Sequence, residues 1–180
     1  MKLKKMIALL MAFVLCTALT ACASETEDGV TVPTGMQAIL SEAEDYYLIV
    51  PADWLTDTTV GLTSAYAEDL ARSSVTVCAN ELTYEISTIE DYWASYAEQF
   101  AATFTNFTML DDVPGDVTIG GEAGKKYRYT ATVGDVDYQW MQVLFIHNGT
   151  LYMLTYTSTP DGYEDLLDDV SDIISAFTFR

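Results

Sequence analysis

Residues 125–158 read KKYRYTATVGDVDYQWMQVLFIHNGTLYMLTYTS. Three runs rich in β-branched and aromatic residues are separated by Gly134-Asp135 and by Asn148-Gly149. Asn-Gly is the preferred pair for a type I′ turn, so the stretch predicts an antiparallel meander of Lys125–Val133, Val136–Ile146 and Leu151–Ser158. The middle run decides the architecture. Met141, Val143 and Phe145 fall on one of its faces, and Trp140, Leu144 and Ile146 on the other. Apolar residues on both faces mean that both are covered. A helix on each side of an antiparallel sheet meets that demand.

The flanking sequence supplies two such helices. Ser87-Thr-Ile-Glu90 has the spacing of a capping box, and behind it Ile89, Tyr92, Trp93, Tyr96, Phe100 and Phe104 recur on one helical face. A second helix is predicted to open at Thr159-Pro160, with Thr159 as N-cap and Pro160 in the first turn. Its stripe is Tyr163, Leu166, Leu167, Val170, Ile173, Ile174 and Phe177. Asp161, Glu164 and Asp165 lie where the helix dipole favours carboxylates. Earlier strands are expected at Tyr46–Val50 and Ser74–Ala79, with a short one at Val117–Ile119.

The chain opens on a charged run, Met1-Lys-Leu-Lys-Lys5, followed by an apolar stretch of about fourteen residues, Met6–Leu19. That is short for crossing a hydrocarbon core of roughly 30 Å and suits the centre of a secretory signal. Leu19-Thr20-Ala21-Cys22 resembles the bacterial lipobox, in which a branched apolar residue and two small ones precede a cysteine. The resemblance implies that residues 1–21 are a lipoprotein signal peptide. It implies also that Cys22 becomes the first mature residue and carries a thioether-linked diacylglycerol. The competing expectation is an ordinary signal peptide cleaved near Ala21-Cys22-Ala23. Two acyl chains hold a protein on a membrane stably where one does not. The expected location is therefore the outer face of the bacterial cell membrane, with lipidated Cys22 as the anchor. Residues 22–35 (CASETEDGVTVPTG) read as an acidic flexible tether, and residues 36–180 as one globular domain.

Eight Lys and Arg stand against 27 Asp and Glu, a formal charge of −19. Lys2, Lys4 and Lys5 belong to the signal, which leaves the mature part near −22. Such a surface displaces no phosphate counterions, which excludes electrostatic nucleic-acid binding. A macromolecular partner recruited through this charge has a basic surface, and the domain itself is expected to be a monomer. At 50% hydrophobic and 12% aromatic residues the chain is not a disordered one. With Cys16 removed and Cys22 lipidated, Cys78 has no disulfide partner; it lies in a strand-like run as a buried structural thiol.

Signals of catalysis are weak. His147 is the sole histidine and sits beside a turn, where a solvated imidazole is the ordinary state. No Gly-x-Ser-x-Gly elbow or Walker A loop occurs, and Gly120-Gly121-x-x-Gly124 reads as a turn. One His and one Cys make no zinc cluster. Pairs such as Glu44-Asp45, Asp111-Asp112 and Asp168-Asp169 are too common among 27 acids to mark a glycosidase. Asp135-x-Asp137 and the Asp165, Asp168, Asp169 and Asp172 face offer the hard oxygen ligands calcium takes, without an EF-hand loop. Metal binding is left open, and no catalytic residue or cofactor is expected. Most Tyr and Trp residues fall on core stripes. Tyr46, Tyr66, Tyr84 and Tyr163 are the ones least committed to packing.

The order of parts is itself informative. Tyr47-x-Ile49-x-Pro51-x-Asp53-Trp54 precedes a β segment and a capped helix reading TIEDY, Thr88–Tyr92. Gly124-x-x-Tyr127, Gln142, Leu151-Tyr-x-Leu-Thr-Tyr-Thr157 and Ile174-Ser-Ala-Phe-x-Phe179 follow. This series resembles the PsbP/Mog/DcrB-like superfamily, and within it the short bacterial lipoproteins of unassigned function. Here Ala176 interrupts the terminal Ser-Phe of that pattern. The resemblance implies an α+β fold, an α/β/α sandwich with a central antiparallel sheet. Its members include photosystem assembly factors and nuclear-import cofactors, so it implies no particular chemistry, and no functional residue carries over. The expected function is a non-catalytic interaction or assembly module. The alternative is a lipoprotein that binds a peptide, sugar or cation.

The anchor is directly testable. The wild-type chain should incorporate labelled fatty acid and partition into detergent, and Cys22→Ser should do neither. Labelling that survives the substitution removes the anchor from Cys22.

Overall fold

Both faces of the middle meander strand are covered, and what covers each face organises the domain. In a computed structural model of the chain, residues 23–25, 29–40, 44–59, 61–67, 73–83 and 86–180 are described. They begin with β1 (Ser24–Glu25), β2 (Thr31–Val32), β3 (Met36–Leu40), β4 (Tyr46–Pro51), β5 (Leu55–Thr59), β6 (Leu62–Tyr66) and β7 (Ser74–Glu81). Helix α1 (Ile89–Thr103) leads into β8 (Thr105–Met109), β9 (Gly115–Ile119), β10 (Glu122–Val133), β11 (Val136–His147) and β12 (Thr150–Ser158). A 3₁₀ turn (Glu164–Leu166), α2 (Leu167–Ala176) and β13 (Thr178–Phe179) follow.

The meander forms as its turn residues require. β10 pairs with β11, and β11 with β12, all antiparallel. Asn148 and Gly149 take φ of 48° and 82°, the left-handed values that a type I′ turn needs. β7, β6 and β5 extend the sheet beyond β12, while β8 and β9 both lie along β10, giving eight strands among the described residues. The close approach of β10 to β11 depends on Gly124. A Cβ there would stand 2.8 Å from the Leu144 carbonyl oxygen, nearer than real Cβ atoms come to backbone.

Helix α1 covers one face of this sheet. Trp93 stacks on Tyr127 with ring centroids 4.1 Å apart, Phe100 packs on Tyr129, and Phe104 stacks on Trp140. Leu144, Leu151 and Met153 complete that core. On the opposite face α2 brings Val170, Ile173 and Ile174 into a core with Met141, Val143 and Phe145. A small sheet in the order β13-β4-β3 packs beside α2. Tyr46, Leu48 and Val50 of β4 face the main core, and Tyr47 and Ile49 back onto Val32. The architecture is the expected α+β sandwich around a central antiparallel sheet.

Several local expectations shift. The first helix is capped one residue later than the Ser87/Glu90 spacing predicts. Thr88 is extended, its Oγ1 accepts from the Asp91 amide at 3.1 Å, and the same hydroxyl donates to Asp91 Oδ2 at 2.8 Å. Asp91, not Glu90, is thus the third helical residue, and its carboxylate meets the capping hydroxyl. The second helix does not open at Thr159-Pro160. Those residues form a turn closed by Gly162 N–H donating to the Thr159 carbonyl, and the α-helix starts only at Leu167. Tyr163 is buried against Tyr156, its carbonyl accepts from the Tyr156 hydroxyl at 2.9 Å, and the chain passes from there through the 3₁₀ turn into α2. Leu166 at the N-cap offers no side-chain acceptor, and Asp168 and Asp169 sit in the first turn, where the helix dipole favours them. Within the stretch expected as a tether, β2 pairs with β1, and Val32 is buried against Tyr47 and Ile49. Packing therefore reaches back ahead of Met36.

Trp93→Ala should cost about 3–5 kcal/mol, the usual range for deleting a buried indole. Urea unfolding monitored by circular dichroism measures it. A cost near zero would mean that α1 does not depend on its stack against Tyr127.

Candidate functional site

Helix α1 lies against β8 and β11, at one end of the wide sheet. Among the described residues no helix lies on the same face over β5 and β6. Register shows what this half of the face presents. Leu55, Tyr66, Ser74, Thr157 and Trp140 stand in one row across five strands. The neighbouring row is Asp57, Ser64, Thr76, Thr155 and Gln142. The first row begins apolar and exposed: Leu55 is 56% and Tyr66 43% accessible, and Leu62, two residues from Ser64 on the same face, is 39% accessible. The second row runs from exposed Asp57 through buried Ser64 and half-buried Thr76 and Thr155 to a buried amide. Gln142 Nε2 donates to Thr155 Oγ1 at 3.2 Å, while its Oε1 has no hydrogen-bond partner. An exposed apolar group beside a hydroxyl band suits contact with another macromolecule. Among the described residues it holds none of the paired titratable groups that acid–base chemistry requires.

The β5–β6 hairpin that carries this face was not foreseen from the sequence. Its strands, LTDTT and LTSAY, lack the apolar alternation that marks a half-buried strand. The available signal was Thr enrichment on either side of Gly61, whose φ of 80° makes the turn.

The other residues singled out in the sequence fall in several places. Cys22 and Tyr84 lie outside the described residues. His147 Nδ1 lies 2.8 Å from Glu122 Oε1, Nε2 lies 2.9 Å from Asn148 Nδ2, and the ring stacks on Phe179 at 3.6 Å. A carboxylate only accepts, so Nδ1 carries a proton, and among the described residues no hydroxyl or thiol bonds to the ring. Cys78 packs in the α1 core, accepts weakly from Asn80 Nδ2, and has its thiol pKa pushed up by burial. That is an inert thiol rather than a nucleophile. Tyr46 and Tyr163, read as uncommitted, are instead fully buried: Tyr46 packs on Phe177 and its hydroxyl donates to Thr63 Oγ1. Of that group only Tyr66 proves exposed among the described residues. Asp137 accepts from Thr132 Oγ1, and among the described residues no three His, Cys, Asp or Glu side chains converge to hold an ion. No described helix is long and apolar enough to cross a membrane.

One ion pair fixes the far edge of the sheet. Arg128 donates to both oxygens of Asp111, Nε to Oδ2 at 2.8 Å and Nη2 to Oδ1 at 2.6 Å. The bidentate contact ties the segment after β8 to β10 and holds the Asp111 carboxyl below its usual range.

No family model and no curated protein matches the sequence. Solved structures do match in fold. The solution structure of cyanobacterial PsbP from Synechocystis sp. PCC 6803 superposes with a TM-score of 0.61 at 13% identity, covering 88% of this chain and 99% of that one. The Ran-binding protein Mog1p of Saccharomyces cerevisiae gives 0.56 at 10% identity over 80% and 95%. A Pseudomonas aeruginosa protein of unknown function gives 0.54 at 16% identity over 76% and 92%. The chain has the PsbP/Mog-like fold.

The Asp111–Arg128 pair predicts a pH dependence. Because the folded-state pKa of Asp111 is lowered, its contribution is present above the ordinary carboxylate pKa and is lost as pH falls through the lowered value. Both partners are partly exposed, so Asp111→Asn should cost about 1 kcal/mol at most at neutral pH. Urea midpoints of wild type and variant should converge in acid. A gap that persists unchanged there would assign the effect to packing.

Proposed function

We propose that this chain is a lipid-anchored, non-catalytic interaction or assembly module on the outer face of a bacterial membrane. The half of the sheet over which no described helix lies is its docking face. The observation that carries the reading is the exposed trio of Leu55, Leu62 and Tyr66 beside the Ser64–Thr76–Thr155 band. A fold shared with a Ran-binding protein supports a binding role, and no partner is carried over from it. The lipobox at Leu19–Cys22 supports the anchor. The large excess of acids favours a partner with a basic surface, because complementary charge speeds encounter more than it strengthens the final complex.

A photo-crosslinking residue at Tyr66 should capture a discrete partner on intact cells, whereas the same residue at exposed Ala102 on α1 should not. Leu55→Asp should abolish the capture and leave the circular dichroism spectrum unchanged. With the purified pair, association should slow several-fold as salt rises and the Debye length falls from roughly 10 Å toward 3 Å. Capture that is indifferent to Leu55→Asp would place the docking face elsewhere.

A further inference from the structure

The opposite face of the sheet holds a groove between α2 and the β9–β10 edge, of about 330 Å³, within the lower range of small-molecule sites. Its apolar lining includes Met141, Leu167 and Ile174. Lys126 and Arg128 line it from β10, two residues apart and therefore on one face of the strand. Ser171 and Ser175 line it from α2, and Tyr163 lines it as well.

Three features of this groove point to a ligand. The first is the Tyr163 hydroxyl. The residue is fully buried, yet its Oη makes no hydrogen bond, a costly state for a buried hydroxyl. Burial raises its pKa to about 12, against the opposing pull of the nearby Arg128 charge and the Gln139 side chain, so at neutral pH it keeps its proton. The second is the Lys126 ammonium. Lys125 is paired with Asp116 and Arg128 with Asp111, but Lys126 makes no ion pair among the described residues. The third is the placement of charge. Beyond Cys22 the sequence has only five basic residues, Arg72, Lys125, Lys126, Arg128 and Arg180, and two of them line this one groove.

We propose that the groove between α2 and β10 binds a small monocarboxylate with an apolar body, its carboxylate held by Lys126 and the Tyr163 hydroxyl and its chain laid on Met141, Leu167 and Ile174. One negative charge is the right number. The Arg128 guanidinium already takes both Asp111 oxygens, which leaves Lys126, acting on Asp111 only at longer range, as the cation without an ion pair, and the acids at Asp168 and Asp172 on the outer side of α2 repel anything more highly charged. The apolar lining rejects a fully solvated ion such as acetate, whose methyl group reaches little of it. This site is independent of the docking face, which lies on the other side of the sheet.

The test is an amide-detected NMR titration of the full chain carrying Cys22→Ser with sodium hexanoate, and with hexanol as the uncharged counterpart. Hexanoate should shift resonances of β10 and α2 saturably, and hexanol should bind about tenfold more weakly or not at all, the loss expected for one charge-assisted contact. Lys126→Gln should weaken hexanoate about tenfold by the same reasoning. Tyr163→Phe should weaken it several-fold while leaving the melting temperature unchanged or raised, since it deletes a hydroxyl with nothing to bond. Equal binding of hexanol, shifts centred away from the groove, or full affinity in Lys126→Gln would each overturn the proposal. A marked loss of stability in Tyr163→Phe would do so as well, by showing that the hydroxyl has an internal partner.

Discussion

Strand β11 cannot leave either of its faces in water. Met141, Val143 and Phe145 are buried on one side and Leu144 on the other, with Trp140 and Ile146 packed into the same second core. Burying side chains of this size yields roughly 1.5–3 kcal/mol each, and that gain is lost on any face left open. Two helices and a small second sheet are consequences of this one strand. α1 brings an aromatic stripe for Tyr127, Tyr129 and Trp140, whereas α2 brings aliphatic side chains for Met141 and Phe145. The two cores differ in character because the residues offered by β11 and its neighbours differ on the two faces.

The covering is unequal in extent, and the proposed docking role rests on that. α1 is a single helix of 15 residues laid across one end of an eight-stranded sheet. The part of that face over β7 and β12 carries half-buried Thr76 and Thr155 where an apolar surface would otherwise stand. Leu55, Leu62 and Tyr66 stand out against that band because nothing in the chain's own folding requires them to be exposed there. On the reverse face the unequal feature is electrostatic. An acidic domain turns two of its few cations toward one groove and leaves a buried phenol beside them without an acceptor.

What could be read from the sequence followed from periodicity and turn chemistry. The meander, both helical stripes and the strands at Tyr46 and Ser74 were legible because each carries an unbroken apolar pattern or an Asn-Gly turn. The α1 cap was placed one residue early because Ser87 and Thr88 are chemically equivalent caps, and only the backbone decides which of them is extended. The start of α2 was placed too early for a different reason. Thr159-Pro160 is a sound helix-start signal, but here it opens a turn closed by the Gly162 amide, with Tyr163 packed on Tyr156 seven residues back. The docking face was illegible because LTDTT and LTSAY carry no alternation, and the groove because Lys126 and Tyr163 are brought together by packing alone. Local rules find elements; sites made by juxtaposition need the fold.

The small sheet has a kinetic corollary. Tyr46 pairs with Phe179, and Phe177 stacks beneath Tyr46, so residues near the two ends of the domain must meet before the α2-side core can close. Contacts between positions so distant in sequence form slowly, since the entropy of closing the intervening chain is paid before they are rewarded. The hairpins of the meander can assemble first and hold the α1 core, leaving β4, α2 and β13 to dock last. Until that step Phe145, Phe177 and Phe179 remain open to solvent, and the order of assembly makes this half of the domain the part that a chaperone or a protease would meet.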